Sequence, residues 1–258
     1  MKTISRHLIL PALASCLVLV ACTAQAQAPA PPAPAPASAR EAAPHDLTGY
    51  WVALVTEDWR FRMVPAPVGD HPGVPLSPAG LEKADTWNPE QDIAAGEECR
   101  AYGAGGIMRI PTRLHVSWQN DNVLSIETDA GRQTRLLQFG PAQDHAGSGT
   151  WQGVSHARWN LQRAGGFGSP VVNGTLAVMT REMRPGYFRR NGAPYSEQAT
   201  LTEYIELLKH DNDQDYDYLM VTSILEDPVY LTSRVITSTH FKREADASKW
   251  DPAPCLAR

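Results

Sequence analysis

The sequence predicts a mainly β fold, an antiparallel barrel of about 8–10 strands with a two-helix insertion at about residues 77–104. Short segments rich in Val, Ile, Thr and aromatic residues recur between turns of Gly, Pro, Asn and Asp. The connections are too short for helical crossovers, which favours antiparallel pairing. A sheet of this size without a layer of helices exposes two edges, and closure into a barrel removes them.

Ten strands are predicted, and short turns at 120–122, 129–131 and 185–186 join neighbouring strands as hairpins. In chain order the predicted strands are residues 50–55, 59–64, 113–118, 123–129, 133–139, 150–161, 175–183, 199–209, 216–225 and 231–241.

Two helices are predicted to interrupt the strands. Ser77-Pro78 supplies an N-cap followed by a proline at the first helical position, and predicts a helix over 79–87. Asn88-Pro89 repeats this arrangement and predicts a helix over 89–102, which a glycine-rich segment ends.

The N-terminus is predicted to direct export. Lys2 and Arg6 precede a short apolar run at 8–20, which is typical of a signal peptide at residues 1–21. An Ala/Pro-rich tether at 22–44 and a single barrel domain at 45–258 are expected to follow.

Residues 19–22, Leu-Val-Ala-Cys, resemble the lipobox of bacterial lipoproteins, and Thr23 is similar to the residue that follows the cysteine in outer-membrane lipoproteins. The resemblance implies lipidation of Cys22 and a location on the periplasmic side of the outer membrane. Cleavage after Ala26 would instead give a secreted or periplasmic protein.

The two cysteines of the predicted domain, Cys99 and Cys255, are expected to form a disulfide, because exported proteins fold in an oxidising compartment. This bond would tie the helical insertion to the C-terminal tail. Two unrelated buried thiols are the alternative.

Charge and motifs exclude some classes of function. The net charge of −5 argues against nucleic acid, whose binding requires Lys and Arg at the phosphates. The chain has no Gly-x-Ser-x-Gly elbow or dinucleotide motif, so no cofactor is predicted. The expected partners are a small-molecule ligand and, through the lipid anchor, a membrane.

Two short motifs resemble those of lipocalins. Residues 47–51, Leu-Thr-Gly-Tyr-Trp, are similar to the Gly-x-Trp motif of the first lipocalin strand, and residues 202–204, Thr-Glu-Tyr, to the second motif, Thr-Asp-Tyr. The resemblance implies a calycin-type barrel in which Trp51 packs against an arginine late in the chain, for which Arg234 is the candidate. The second motif lies within a predicted strand here and not in a loop. The chain as a whole also resembles secreted bacterial proteins of unknown function.

Strand alternation predicts charged side chains on apolar faces. Glu203 shares a face with Leu201, while Tyr204 faces the other way; Arg135 and Arg181 also share faces with apolar residues. These groups are candidates for a ligand clamp or an acid/base set inside the barrel. A structural Glu–Arg ion pair, or a strand-end residue that reaches solvent, is the alternative reading.

Two classes of function remain open, with a structural scaffold as a third. A binding protein would hold a small, largely apolar or aromatic ligand, with or without an anionic group. The candidate ligand-binding residues are Arg135, Arg181, Arg184, Trp51 and Trp118. In the basic cluster at 181–190, guanidinium groups are suited to receive a carboxylate, sulfate or phosphate, and solubilising loop charge is the alternative.

A cofactor-free lyase, isomerase, cyclase or hydratase is the alternative. Glu203 would act as acid or base, with His115, Tyr204 or His240 as its proton partner and Arg135 as an oxyanion stabiliser. His115 and His240 with Glu203 are also suited to hold a metal in a cupin-like manner, but the histidine spacing matches no metal motif and no metal site is predicted.

Overall fold

The structure is a computed structural model that describes residues 38–57, 59–140, 147–166, 168–209 and 217–257, apart from the side chains of residues 60 and 61. The predicted signal peptide, Cys22 and most of the predicted tether lie outside these ranges. Among the described residues, no helix is long and apolar enough to cross a membrane.

Eleven strands are described, and nine of them form a closed barrel in the order β1-β11-β10-β9-β6-β5-β4-β3-β2. β7 and β8 pair separately as a small hairpin. The strands are β1 Gly49–Ala53, β2 Arg113–Asn120, β3 Val123–Thr128, β4 Thr134–Phe139, β5 Val154–Arg163, β6 Val171–Arg181, β7 Gly186–Tyr187, β8 Pro194–Tyr195, β9 Thr200–Leu208, β10 Tyr218–Glu226 and β11 Val235–Glu244.

The barrel is mainly antiparallel, as predicted, with one exception. β4 and β5 pair in parallel, with Leu137 opposite Ser155. A parallel pair requires the chain to return to the end from which it came. The predicted meander therefore holds everywhere in the barrel except between β4 and β5 and at the β7–β8 hairpin between β6 and β9.

Alternation along the strands fills the barrel with side chains. In β9, Leu201, Glu203 and Ile205 are buried and point inward, while the residues between them are half-buried on the outer face. We call the end at which β1 ends and β11 begins the upper end, and the opposite end the lower end.

The helical insertion lies between β1 and β2. It contains α1 Trp59–Arg62, α2 Pro78–Asp85, α3 Pro89–Ala94 and two 3₁₀ helices, Glu98–Tyr102 and Ile107–Arg109. The predicted caps are present: Ser77 Oγ accepts from the Gly80 N–H at 3.0 Å, and Asn88 Oδ1 from the Glu90 N–H at 2.9 Å. The second predicted helix is shorter than expected because Gly96 adopts a φ of 67°, which ends α3.

The strand predicted at 59–64 was wrong. Residues Trp59–Arg62 form helix α1. The alternation of apolar and basic residues over four positions resembles a strand, but so short a pattern does not distinguish a strand from one helical turn.

The predicted disulfide between Cys99 and Cys255 is present, with Cα atoms 5.1 Å apart. It joins the first 3₁₀ helix to the C-terminal tail. The insertion is therefore attached covalently to the end of the chain, across a separation of 156 residues.

The last part of the predicted tether packs on the barrel. Trp159 Nε1 donates to the Ala39 carbonyl at 2.8 Å, and the Arg40 N–H donates to the Asp121 carbonyl at 3.0 Å. Residues 38–44 are therefore attached to the folded domain near its lower end.

Trp51 closes the lower end, packed against an arginine as the lipocalin resemblance implies. The ring is fully buried, and the Arg243 guanidinium carbon lies 4.1 Å from its centroid. Arg234, the predicted partner, lies before β11 at the upper end, so this assignment was wrong. β11 runs from the upper end to the lower one, and only a residue near its end can reach Trp51.

Candidate ligand-binding site

A cavity of about 380 Å³ lies at the upper end of the barrel. Strands β9, β10 and β11 line it from the barrel side, and the helical insertion and the segment after β7 cover it. The volume is within the range of small-molecule sites, which is roughly 300–1,000 Å³.

Five arginines from distant parts of the chain line the cavity. Two are held by backbone carbonyls of the surrounding structure: Arg62 Nη1 donates to Leu54 at 2.6 Å, and Arg109 Nη1 donates to Ser238 at 3.2 Å. The full set is Arg62, Arg109, Arg189, Arg190 and Arg234.

No Asp or Glu is among the described residues that line the cavity. The surrounding protein has a net charge of −5, so this concentration of positive charge runs against the overall composition. Guanidinium groups in a partly enclosed space attract carboxylate and phosphate groups and offer them paired hydrogen-bond donors.

The wall between the arginines and the barrel interior is apolar. Its members come from the covering segments and from the inner faces of three strands, and they are Ile110, Phe188, Leu201, Leu225 and Val235. The cavity therefore combines a cationic lining with a surface suited to the apolar body of a ligand.

Two hydroxyl residues line the cavity on its barrel side. Ser223 in β10 and Thr237 in β11 are opposite each other in the strand register, and both line the cavity. The Ser223 hydroxyl donates a long hydrogen bond of 3.5 Å to Glu203 Oε1.

We call Ser223 and Thr237 the cavity floor. Glu203 and Arg135 form an ion pair beneath it, inside the barrel. Arg135 Nη2 donates to Glu203 Oε2 at 2.6 Å and Nη1 to Oε1 at 3.2 Å, with the residues 0% and 2% exposed. Arg135 also donates to Thr180 Oγ1 at 3.2 Å, and this hydroxyl lies 2.7 Å from Ser155 Oγ. The structure thus places Glu203 inside the barrel, as strand alternation predicts, but as the partner of Arg135.

The proposed proton partners of Glu203 do not reach it. His115 pairs with Glu127 at 2.7 Å and stacks on Tyr50, on the outer face of the barrel. His240 lies next to the inward Phe241 in β11 and therefore points outward, where its Nδ1 is 2.5 Å from Glu57. The convergence expected for an acid/base set is absent because strand alternation directs these side chains away from the interior.

Tyr204 also lies on the outer face, because it alternates with the buried Glu203 and Ile205. This placement follows the face assignment made from the sequence. It removes Tyr204 from the interior in which a proton partner of Glu203 would have to lie.

The predicted ligand residues separate into different regions. Arg181 is exposed on the outer face at the end of β6. Arg184 lies over the Trp151 ring at 4.3 Å and pairs with Glu97. Neither is among the residues that line the cavity, whereas the neighbouring Arg189 and Arg190 are. The basic cluster at 181–190 therefore contributes only half of its arginines.

Neither of the two predicted tryptophans lines the cavity. Trp51 packs with Arg243, and Trp118 packs with Phe139, whose centroid is 5.6 Å away. Phe139 continues this aromatic cluster to Trp159. These rings fill the lower end and are not cavity-lining residues.

Within the described ranges, no group of three or more His, Cys, Asp or Glu side chains is arranged to hold a metal ion. His115 and His240 are on the outer face and Glu203 is inside, so the cupin-like arrangement considered for these three is absent.

The sequence did not indicate most of the site. Arg62, Arg109 and Arg234 are far apart in the chain, and no sequence motif connects them. Only the adjacent Arg189 and Arg190 gave a local signal, because they fall within the basic cluster.

One titrating group lies beside the cavity. His71 precedes the lining residue Gly73 and its Nδ1 is 3.3 Å from the Asn191 amide nitrogen. Burial lowers the pKa of His71 from its usual value, and Arg189 lowers it further, while Asp85 and Asp70 act in the opposite direction.

The fold and the cavity define a closed β-barrel with an arginine-lined chamber at one end. No family model matches the chain, and no curated protein or solved structure matches it at a significant level.

Proposed function

We propose that the upper cavity binds a small organic anion with an apolar body. The observation on which this rests is the lining itself: five arginines and an apolar wall around one chamber. The anionic group binds at the guanidinium groups and the apolar body packs on the wall, so that each part of the ligand meets a complementary surface.

The barrel interior below the cavity supports a binding role in preference to acid/base chemistry. Both oxygens of Glu203 face Arg135, and the candidate proton partners are on the outer face. The interior ion pair therefore supports the Ser223 side of the cavity from within the barrel.

Isothermal titration calorimetry on the full-length protein tests the proposal with three probes of one chain length: octanoate, octan-1-ol and octylamine. We expect octanoate to bind, octan-1-ol to bind at least 10-fold more weakly and octylamine to give no heat of binding. Raising the salt concentration should weaken octanoate binding, because salt screens accessible charges. Equal binding of octylamine and octanoate would refute the proposal.

A matched pair of variants locates the binding. Arg234→Gln removes a cavity guanidinium that is exposed at the rim, so the fold should tolerate it, and octanoate affinity should fall about 3- to 10-fold. Arg181→Gln removes an exposed guanidinium from the outer face of β6, and affinity should change less than about 2-fold. Equal losses in the two variants would indicate a general effect of charge and not a site.

We further propose that the protein acts in the cell envelope, anchored to the outer membrane by a lipid on Cys22. The support is the signal-like N-terminus and the lipobox resemblance. Mass spectrometry of the protein from the membrane fraction should show a diacylglyceryl group on Cys22, and Cys22→Ser should release the protein. Cleavage after Ala26 in the wild type would establish soluble export instead.

A further inference from the structure

We infer that the ligand is bifunctional: it has an anionic group at the arginines and, at its other end, a hydroxyl or N–H group that donates a hydrogen bond to Ser223. The inference rests on the proposed function and specifies the class of organic anion.

The direction of the Ser223 hydrogen bond follows from its partner. An ionised carboxylate has only acceptor oxygens, so the Ser223 hydroxyl must give its hydrogen to Glu203 Oε1. The serine oxygen retains lone pairs, and Ser223 lines the cavity. It therefore offers the cavity a hydrogen-bond acceptor, in contrast to the donors of the arginines.

The Glu203 carboxylate cannot rotate toward the cavity to bind the ligand directly. The residue is fully buried, and the two Arg135 nitrogens hold its two oxygens at 3.2 and 2.6 Å. Arg135 is held in turn by Thr180. These contacts hold the Glu203 carboxylate in place, and this carboxylate accepts the hydrogen of the Ser223 hydroxyl.

The strand register gives an approximate length for the ligand. Ser223 is opposite Thr237 in the register, and Arg234 precedes Thr237 by three residues, immediately before β11 begins. At about 3.4 Å per residue, the backbone of Arg234 and that of the Ser223–Thr237 pair are at most roughly 10 Å apart along the strand. A straight chain of about eight carbons with a carboxylate at one end and a hydroxyl at the other spans this distance.

Calorimetry with matched probes tests the inference on the full-length wild-type protein. We expect 8-hydroxyoctanoate to bind about 3- to 10-fold more tightly than octanoate, which lacks the donor. The ether 8-methoxyoctanoate retains an oxygen but cannot donate, and it should lose this advantage. The shorter 4-hydroxybutanoate should show no advantage over butanoate, because it cannot span the cavity.

A pair of variants then identifies the acceptor. In Ser223→Ala, the ratio of the 8-hydroxyoctanoate affinity to the octanoate affinity should fall to about one, and this ratio is independent of any general effect of the substitution on the cavity. Thr222→Ala is the matched control: Thr222 is the neighbouring residue, its hydroxyl is 3.1 Å from Ser238 on the outer face, and its removal should leave the advantage unchanged.

The results separate the two proposals. Octanoate binding to the wild type with no gain for 8-hydroxyoctanoate, or an equal gain for 8-methoxyoctanoate, would overturn the inference and leave the anion site standing. Absence of octanoate binding to the wild type would overturn the proposed function as well. If Ser223→Ala does not fold, the comparison of the hydroxyl and ether probes on the wild type still decides the question.

Discussion

Glu203 and Arg135 are the residues in which sequence and structure agree only in part. Alternation places both side chains on apolar faces from the sequence, because each strand has a period of two. Their pairing depends on contact between β4 and β9, 68 residues apart in the chain, across the barrel interior. No local pattern reports this contact, so the ion pair was only one of several readings that the sequence allowed.

Removal of one partner from this pair should be costly. Glu203→Gln leaves the Arg135 charge buried without its counter-ion, and we expect a loss of about 3–5 kcal/mol in the free energy of unfolding. Replacing both, as Glu203→Gln with Arg135→Met, should cost less than the sum of the two single losses, because no unpaired charge remains. Urea denaturation measures these values.

Glu226→Gln is the control for this experiment, since Glu226 is exposed at the end of β10 and should change stability by less than about 0.5 kcal/mol. A Glu203→Gln protein as stable as this control would contradict the assignment of a structural ion pair.

His71 should make stability depend on pH near the cavity. Its pKa is lowered in the folded protein, mainly by burial, so the unfolded chain binds the proton more readily. The stabilisation from neutral His71 is therefore complete above pH of about 6.5 and is lost as the pH falls below that value. We expect the melting temperature to fall between pH 7.5 and pH 5 less steeply in His71→Gln than in the wild type. Parallel pH profiles for the two proteins would count against this role.

At the scale of elements, capping residues predicted the helix starts correctly, whereas a short alternating pattern predicted the wrong type of element. The caps at Ser77 and Asn88 located two helix starts, because a cap is made by a side chain and the backbone a few residues away. The pattern at Trp59–Arg62 was read as a strand and is a helix. The parallel pairing of β4 and β5 was also missed, because it depends on the path of a connection and not on the strands themselves.

The junction of β1 and β11 offers a test of the barrel closure. Arg243 stacks on Trp51 and donates from Nη1 to the Thr48 carbonyl at 2.7 Å and from Nη2 to the Asp46 carbonyl at 3.1 Å. Arg243→Lys keeps the charge but loses the planar stack and the fork of donors. We expect a loss of about 1–3 kcal/mol in the free energy of unfolding.

Arg234→Lys should change stability by less than about 0.5 kcal/mol, because Arg234 is exposed at the other end of β11. The opposite ranking of the two variants would restore the assignment of Arg234 as the partner of Trp51. Thermal and urea unfolding of both variants beside the wild type provide the comparison.

At the scale of the whole molecule, a nine-stranded closed barrel carries a helical insertion that a disulfide joins to the C-terminal tail. The Cys99–Cys255 disulfide closes most of the chain into a loop, so it restricts the unfolded state. We expect the double variant Cys99→Ser, Cys255→Ser to lose about 2–5 kcal/mol in the free energy of unfolding. Wild-type protein unfolded under reducing conditions should show a similar loss. An unchanged denaturation midpoint in both cases would show that the bond does not contribute to stability.

The same variant connects stability with binding. The disulfide holds the 3₁₀ helix Glu98–Tyr102, whose residue Ala101 lines the cavity, so octanoate affinity should also fall in the cysteine variant. Arg234→Gln should reduce affinity without this loss of stability. The comparison would separate the contribution of the cavity's shape to octanoate affinity from the contribution of its charge.

The sequence by itself determined the mainly β class, the location of most strands and two helix starts, the inward position of Glu203 and the pairing of the two domain cysteines. These features depend on strand period, capping and the count of cysteines, all of which are local or compositional. Tertiary structure alone decided the partner of Trp51, the Glu203–Arg135 ion pair and the assembly of five arginines around one cavity. Each of these requires residues from distant strands and loops to meet. The strand order of the closed barrel determines which residues do so.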